Sequence, residues 1–119
     1  MMIKVGEYNT LNVLRTVDFG VYLDDGDKGI LLPKRFMPAD IKEGDPVNVF
    51  IYHDGEDRLI ATTQHPKGTV GDIVKLRAVT VTPQGAFLDM GLMKDLFVPK
   101  SKQLAGMRVN GEYVVKIYI

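Results

Sequence analysis

Gly20-Val21-Tyr22-Leu23-Asp24-Asp25-Gly26 returns 65 residues further on as Gly85-Ala86-Phe87-Leu88-Asp89-Met90-Gly91. Upstream, Val5-Gly6-Glu7-Tyr8 returns at the same offset as Val70-Gly71-Asp72-Ile73. Downstream, Ile30-Leu31-Leu32-Pro33-Lys34 is matched by Leu96-Phe97-Val98-Pro99-Lys100, at an offset of 66. A repeat this long holds several strands and turns. It therefore predicts two tandem copies of one small domain, not a solenoid of single motifs.

Each copy reads as strands. Thr10 to Thr16 alternates apolar and polar side chains, as a half-buried strand does. Gly20 to Asp24 is a second strand, with Asp25-Gly26 expected to supply the positive φ of a tight hairpin turn. Gly29 to Pro33 is a third, ended by a proline that cannot donate to a ladder. Val47 to His53 and Arg58 to Thr62 follow, joined by the turn Asp54-Gly55-Glu56-Asp57. Five strands with a short irregular stretch between the third and fourth is the plan of an OB-fold barrel. Residues 1–63 form the first unit, 64–69 (with Pro66 and Gly68) a linker, and 70–119 the second unit. The second copy runs through Ile73 to Val81, Gly85 to Met90, Asp95 to Pro99 and Tyr113 to Ile119. It holds no counterpart of Arg58-Leu59-Ile60-Ala61-Thr62. The expected architecture is all-β: two tandem five-stranded barrels, the second without its last strand. An open barrel exposes unpaired backbone, so the edge beside Tyr113 is expected to be capped by another chain or by Met1 to Lys4, or to be locally disordered. A longer parent protein is expected for the same reason.

The formal net charge of zero conceals a dipole. Residues 1–63 carry 7 Lys/Arg against 11 Asp/Glu, whereas residues 64–119 carry 8 against 4. The second copy is the one expected to meet a polyanion. No apolar run approaches the roughly 20 residues of a membrane helix, and no export signal opens the chain. The chain has no cysteine, which excludes disulfides and thiolate chemistry and is compatible with a cytoplasmic location. His53 and His65 are the only imidazoles and lack a zinc-ligand pattern. Asp24-Asp25-Gly26-Asp27 lacks the later bidentate glutamate of a calcium loop. No phosphate loop or catalytic triad motif is present, so the sequence supports neither an enzyme nor a cofactor.

Val70-Gly71-Asp72, Gln84-Gly85-Ala86-Phe87-Leu88-Asp89-Met90-Gly91 and Asp95-Leu96-Phe97-Val98-Pro99-Lys100 together resemble the S1 RNA-binding domain family of OB folds. The first copy looks like a more diverged member. The tandem pair, with Arg58-Leu59-Ile60-Ala61-Thr62-Thr63-Gln64 at the junction, resembles the N-terminal part of the bacterial conserved virulence factor B family. That resemblance implies further S1-like units and a winged helix in the longer protein.

An OB barrel takes single strands on its second and third strands, where aromatic rings stack on bases and Lys or Arg meets phosphate. Phe87 matches the family's outward phenylalanine, Tyr22 is its equivalent in the first copy, and Phe19 matches the ring before the glycine. The competing reading puts these rings in the barrel cores. Gln84 replaces the ring of Phe19 in the second copy. Leu32 and Val98 are read as standing where many members place an RNA-contacting histidine. Lys34, Arg35, Lys94, Lys100 and Lys102 are the basic candidates around this face. Lys75 and Arg77 alternate, so they share one face of their strand. The implied partner is single-stranded RNA bound with little sequence preference. The rival reading is a scaffold that takes a protein partner or self-associates through the open edge of the second barrel.

Overall fold

A computed structural model of the chain describes residues 3–118. They divide into two compact units, 3–64 and 65–118. The architecture is all-β, with short 3-10 turns as its only helical elements among the described residues.

The first unit is a closed barrel of five strands, in the order β1-β2-β3-β5-β4. These are β1 Tyr8–Val17, β2 Gly20–Leu23, β3 Ile30–Pro33, β4 Pro46–His53 and β5 Leu59–Thr62. Alternation sends Leu11, Val13, Val21, Leu23, Val47, Val49 and Ile51 inward, where Ile30, Leu32 and Ala61 join them in one core. β5 closes the barrel by pairing antiparallel to β4 and parallel to β3.

The tight turn of the first hairpin is Asp18-Phe19, because Val17 pairs with Gly20. The expected tight turn at Asp25-Gly26 is instead part of a longer loop between Leu23 and Ile30. Side-chain carboxylates hold that loop: Asp24 accepts from the Gly26 amide, and Asp25 accepts from the amides of Asp27 and Gly29. Each bond satisfies a backbone donor that the missing hairpin ladder leaves over.

The second unit is a four-stranded sheet in the order β8-β7-β6-β9. Its strands are β6 Ile73–Thr82, β7 Gly85–Leu88, β8 Leu96–Pro99 and β9 Glu112–Lys116. This order reproduces β3-β2-β1-β4, down to a register shift at Ala78/Thr80 that matches the one at Val13/Arg15. Among the described residues no strand lies between β8 and β9. The segment read as a linker is tied to this unit from Lys67 onwards: its amide donates to the Met90 carbonyl, and its ammonium pairs with Asp89 at 3.1 Å. β9 ends at Lys116, short of the expected Ile119, which lies outside the described residues with Met1 and Met2. Ile3 packs against the first core, and Lys4 exchanges hydrogen bonds with Asn9.

The glycines that open β2 and β7 have a steric purpose. A Cβ on Gly20 would strike the Leu32 carbonyl oxygen, and one on Gly85 would strike the Val98 carbonyl oxygen and the Phe97 ring. Backbone cannot yield as a flexible side chain can. Gly20→Ala is therefore expected to cost about 1–3 kcal/mol of stability, read as a lowered melting temperature. A melting curve unchanged from the parent protein would refute the close approach.

Candidate nucleic-acid interface

In the first unit the outward face of β1-β2-β3 carries a layered cluster. Register sets Arg15 opposite Tyr22 and Tyr22 opposite Leu31. The Arg15 guanidinium lies 4.3 Å from the centroid of the Tyr22 ring, a cation–π stack. Its Nη2 also donates to the Lys28 carbonyl at 3.1 Å, which holds the plane in place. Phe19 reaches in from the tight turn and meets Tyr22 edge-on, centroids 6.2 Å apart at 84°. Phe19 is 56% exposed, so a face is available to a base. The Lys34 amide donates to the Phe19 carbonyl at 2.9 Å. That bond fastens the 3-10 turn Lys34–Phe36, with the exposed Lys34 and Arg35, to the same end of the hairpin.

The second unit builds a ring pair from different positions. Phe87 is half-buried and outside the second core; it faces Phe97, with centroids 4.9 Å apart and planes at 46°. Phe97 is 42% exposed. Gly85 makes the room, since a side chain there would occupy the space of the Phe97 ring. Thr80 stands opposite Phe87 in place of Arg15. The Lys100 amide donates to the Gln84 carbonyl, repeating the Lys34–Phe19 tie.

Lys100 and Lys94 are exposed and stand at opposite ends of β8, Lys94 in the loop before it and Lys100 directly after it. Lys75 and Arg77 do share the outer face of β6, opposite Val114 and Glu112. Arg77 also donates to Asn110 at 3.0 Å, which ties down part of its charge. Lys102 lines a cleft between β8 and β9, to which Phe97 also contributes. The Gly91 amide and the Lys67 ammonium hold the Asp89 carboxyl below the usual carboxylate range. Burial, then the charge of Asp89, pushes the Asp95 carboxyl up.

Two sequence expectations need correction. Leu32 does not stand on the outer face: it is fully buried in the first core, and Val98 packs against the second. The outward third-strand positions are Leu31 and Phe97, one residue earlier, and a one-residue slip exchanges the two faces of a strand. Arg15 and Phe97 were accordingly missed as site residues. Counting back from the Asp18-Phe19 turn pairs Arg15 with Tyr22 and would have found the first.

The model of the S1 domain family matches residues 5–64, just over half of the chain. The chain belongs to the S1 domain family. The match falls on the first unit, the copy that looked the more diverged from sequence. The uncharacterized protein YitL of Bacillus subtilis (strain 168) is 38% identical over 96 residues, covering 80% of this chain and 32% of YitL. The crystal structure of a multidomain protein with nucleic acid binding domains from Streptococcus pneumoniae TIGR4 superposes with a TM-score of 0.72 at 19% identity. It covers 96% of this chain and 46% of that one, and the likeness shows the fold. The S1 chain thus spans about a third of YitL and under half of the pneumococcal protein. Among the described residues no helix is long and apolar enough to cross a membrane, and no cluster of three or more His, Asp or Glu forms a metal-ligand set.

Proposed function

We propose that this S1 chain is a module that binds single-stranded RNA with little sequence preference, on the outer faces of β2-β3 and β7-β8. The observation that carries the reading is an aromatic pair on the outer face of each unit, Phe19–Tyr22 and Phe87–Phe97, centred on the equivalent rings Tyr22 and Phe87 and completed from different positions, the first capped by the Arg15 guanidinium. Rings in this setting accept any base, because every base offers a π face. S1 family membership and the nucleic acid binding domains of the pneumococcal relative support nucleic acid as the ligand class. In this reading residues 1–63 and 70–119 are two S1-like units of a longer, cytoplasmic bacterial regulatory protein of the conserved virulence factor B type. The chain binds and does not catalyse. The second unit, with its excess of basic residues, supplies most of the phosphate contact.

Anisotropy titration with a labelled oligo-RNA across a salt series tests this. Affinity is expected to fall steeply with salt. Lys100→Ala is expected to weaken binding modestly and to make the slope shallower by about 0.7, the contribution of one phosphate on a single strand. Salt-insensitive binding, or none, would refute the reading.

A further inference from the structure

We propose that Arg15 makes the first unit a subsite for a purine base, which stacks on the outer face of the guanidinium with Tyr22 behind it. The inference rests on the RNA-binding reading above and names the base that the first unit favours, a small bias within an otherwise tolerant path.

A β-bulge puts Arg15 in this place. β1 and β2 pair Val13 with Leu23 and then Arg15 with Tyr22, so Leu14 is an extra residue that nothing in β2 opposes. Without the bulge, alternation from the buried Val13 would turn Arg15 towards the core. With it, Leu14 and Arg15 are both exposed, and Arg15 shares the outer face with Tyr22. Bulges re-aim side chains in this way beside working sites. The second unit repeats the bulge at Val79, but it sets Thr80 opposite Phe87. A guanidinium at this position belongs to the first unit alone.

Two neutral partners hold the group. Its central carbon lies 4.3 Å from the centroid of the Tyr22 ring, and Nη2 donates to the Lys28 carbonyl at 3.1 Å. That carbonyl is itself steadied, because the next amide, of Gly29, donates to the Asp25 carboxylate. Among the described residues no carboxylate pairs with Arg15. The result is a fixed, exposed cation whose charge nothing nearby neutralises.

This arrangement suits a base better than a phosphate. A phosphate is gripped by the N–H edge of a guanidinium, through parallel hydrogen bonds in its plane. Here part of that edge is engaged at Lys28 and one face rests on Tyr22, which leaves the opposite face of the exposed side chain turned to solvent. Residues 1–63 also carry 11 Asp/Glu against 7 Lys/Arg, a field that repels phosphate. A flat, uncharged π system meets neither objection. Bases stack on guanidinium planes, and a cation is drawn to the face of a ring. A purine covers the plane with two fused rings where a pyrimidine offers one, so it gains more from the same contact.

The test uses the 119-residue chain and two labelled RNA decamers, one of uridine alone and one with a central adenine, titrated across a salt series. The parent protein is expected to bind the adenine decamer about two- to fivefold tighter at every salt concentration, the scale of an exposed cation–π contact. Arg15→Lys keeps the charge and loses the plane. It is expected to bind both decamers equally, with the salt slope and melting temperature of the parent. A preference that survives in Arg15→Lys would overturn the proposal. So would an Arg15→Ala protein that weakens both decamers alike and makes the slope shallower by about 0.7, the mark of a phosphate ligand. Steep salt dependence without any adenine preference in the parent would overturn this proposal alone. No binding of either decamer by the parent would overturn the RNA-binding reading and this proposal together.

Discussion

Replacing both rings of the second unit, Phe87→Ala with Phe97→Ala, is expected to cost about 1–3 kcal/mol of RNA affinity per base released, while the salt slope barely changes. The two observables separate because stacking releases few counterions and phosphate contacts release many. Phe87 and Phe97 form a contact pair outside the second core, so their loss removes the roughly 0.5–1.5 kcal/mol that an aromatic pair adds beyond its buried area, together with the area of the two half-covered rings. Had the rings been core residues, each truncation would cost about 3–5 kcal/mol of stability. A melting curve recorded beside the binding curve therefore distinguishes them. A large drop in melting temperature with unchanged affinity would place the rings in a structural role. The matching experiment in the first unit is Tyr22→Ala, which removes the platform under Arg15 and the partner of Phe19 together.

The strands were legible because alternation and internal repetition point the same way. Leu11 and Val13 on β1 recur as Leu76 and Ala78 on β6, all four buried. Comparing the two copies also predicts the same order of strands in both, and the described residues of the second unit form the sheet β8-β7-β6-β9. The facing of the third strand was not legible. Ile30-Leu31-Leu32-Pro33 and Leu96-Phe97-Val98-Pro99 are apolar throughout, so periodicity gives no inside or outside. Pairing with β2 and β7 decides the question, and that pairing becomes readable once Asp18-Phe19 and Pro83-Gln84 are recognised as the two-residue turns. Neither turn has the Asn-Gly or Asp-Gly signature, whereas Asp25-Gly26 has it and sits in a longer loop. Lys75 and Arg77 were easier, since a charged residue on a strand of known phase faces out. Their partners were not: nothing in the order of residues shows that Arg77 is tied to Asn110, or that Lys102 and Phe97 line one cleft.

The facing of β3 can be checked with two neighbouring truncations. Leu32→Ala is expected to destabilise the protein by about 2–5 kcal/mol, because Leu32 is fully buried among Val21, Leu23, Val49 and the rest of the first core. The barrel has little means of collapsing around the hole, since β3 is held on both sides by β2 and β5. Leu31→Ala, one residue away, is expected to cost about 1 kcal/mol or less, the scale of a cross-strand pair with Tyr22 on a half-exposed face. It should instead alter RNA affinity, because Leu31 stands opposite Tyr22 on the outer face. Urea unfolding gives the contrast directly: a midpoint shifted strongly by Leu32→Ala and weakly by Leu31→Ala fixes the strand as described. Equal shifts would mean that β3 slips in register, and a larger effect at Leu31 would reverse its faces. Leu31 and Phe97 would then leave the binding face, and Leu32 and Val98 would return to it.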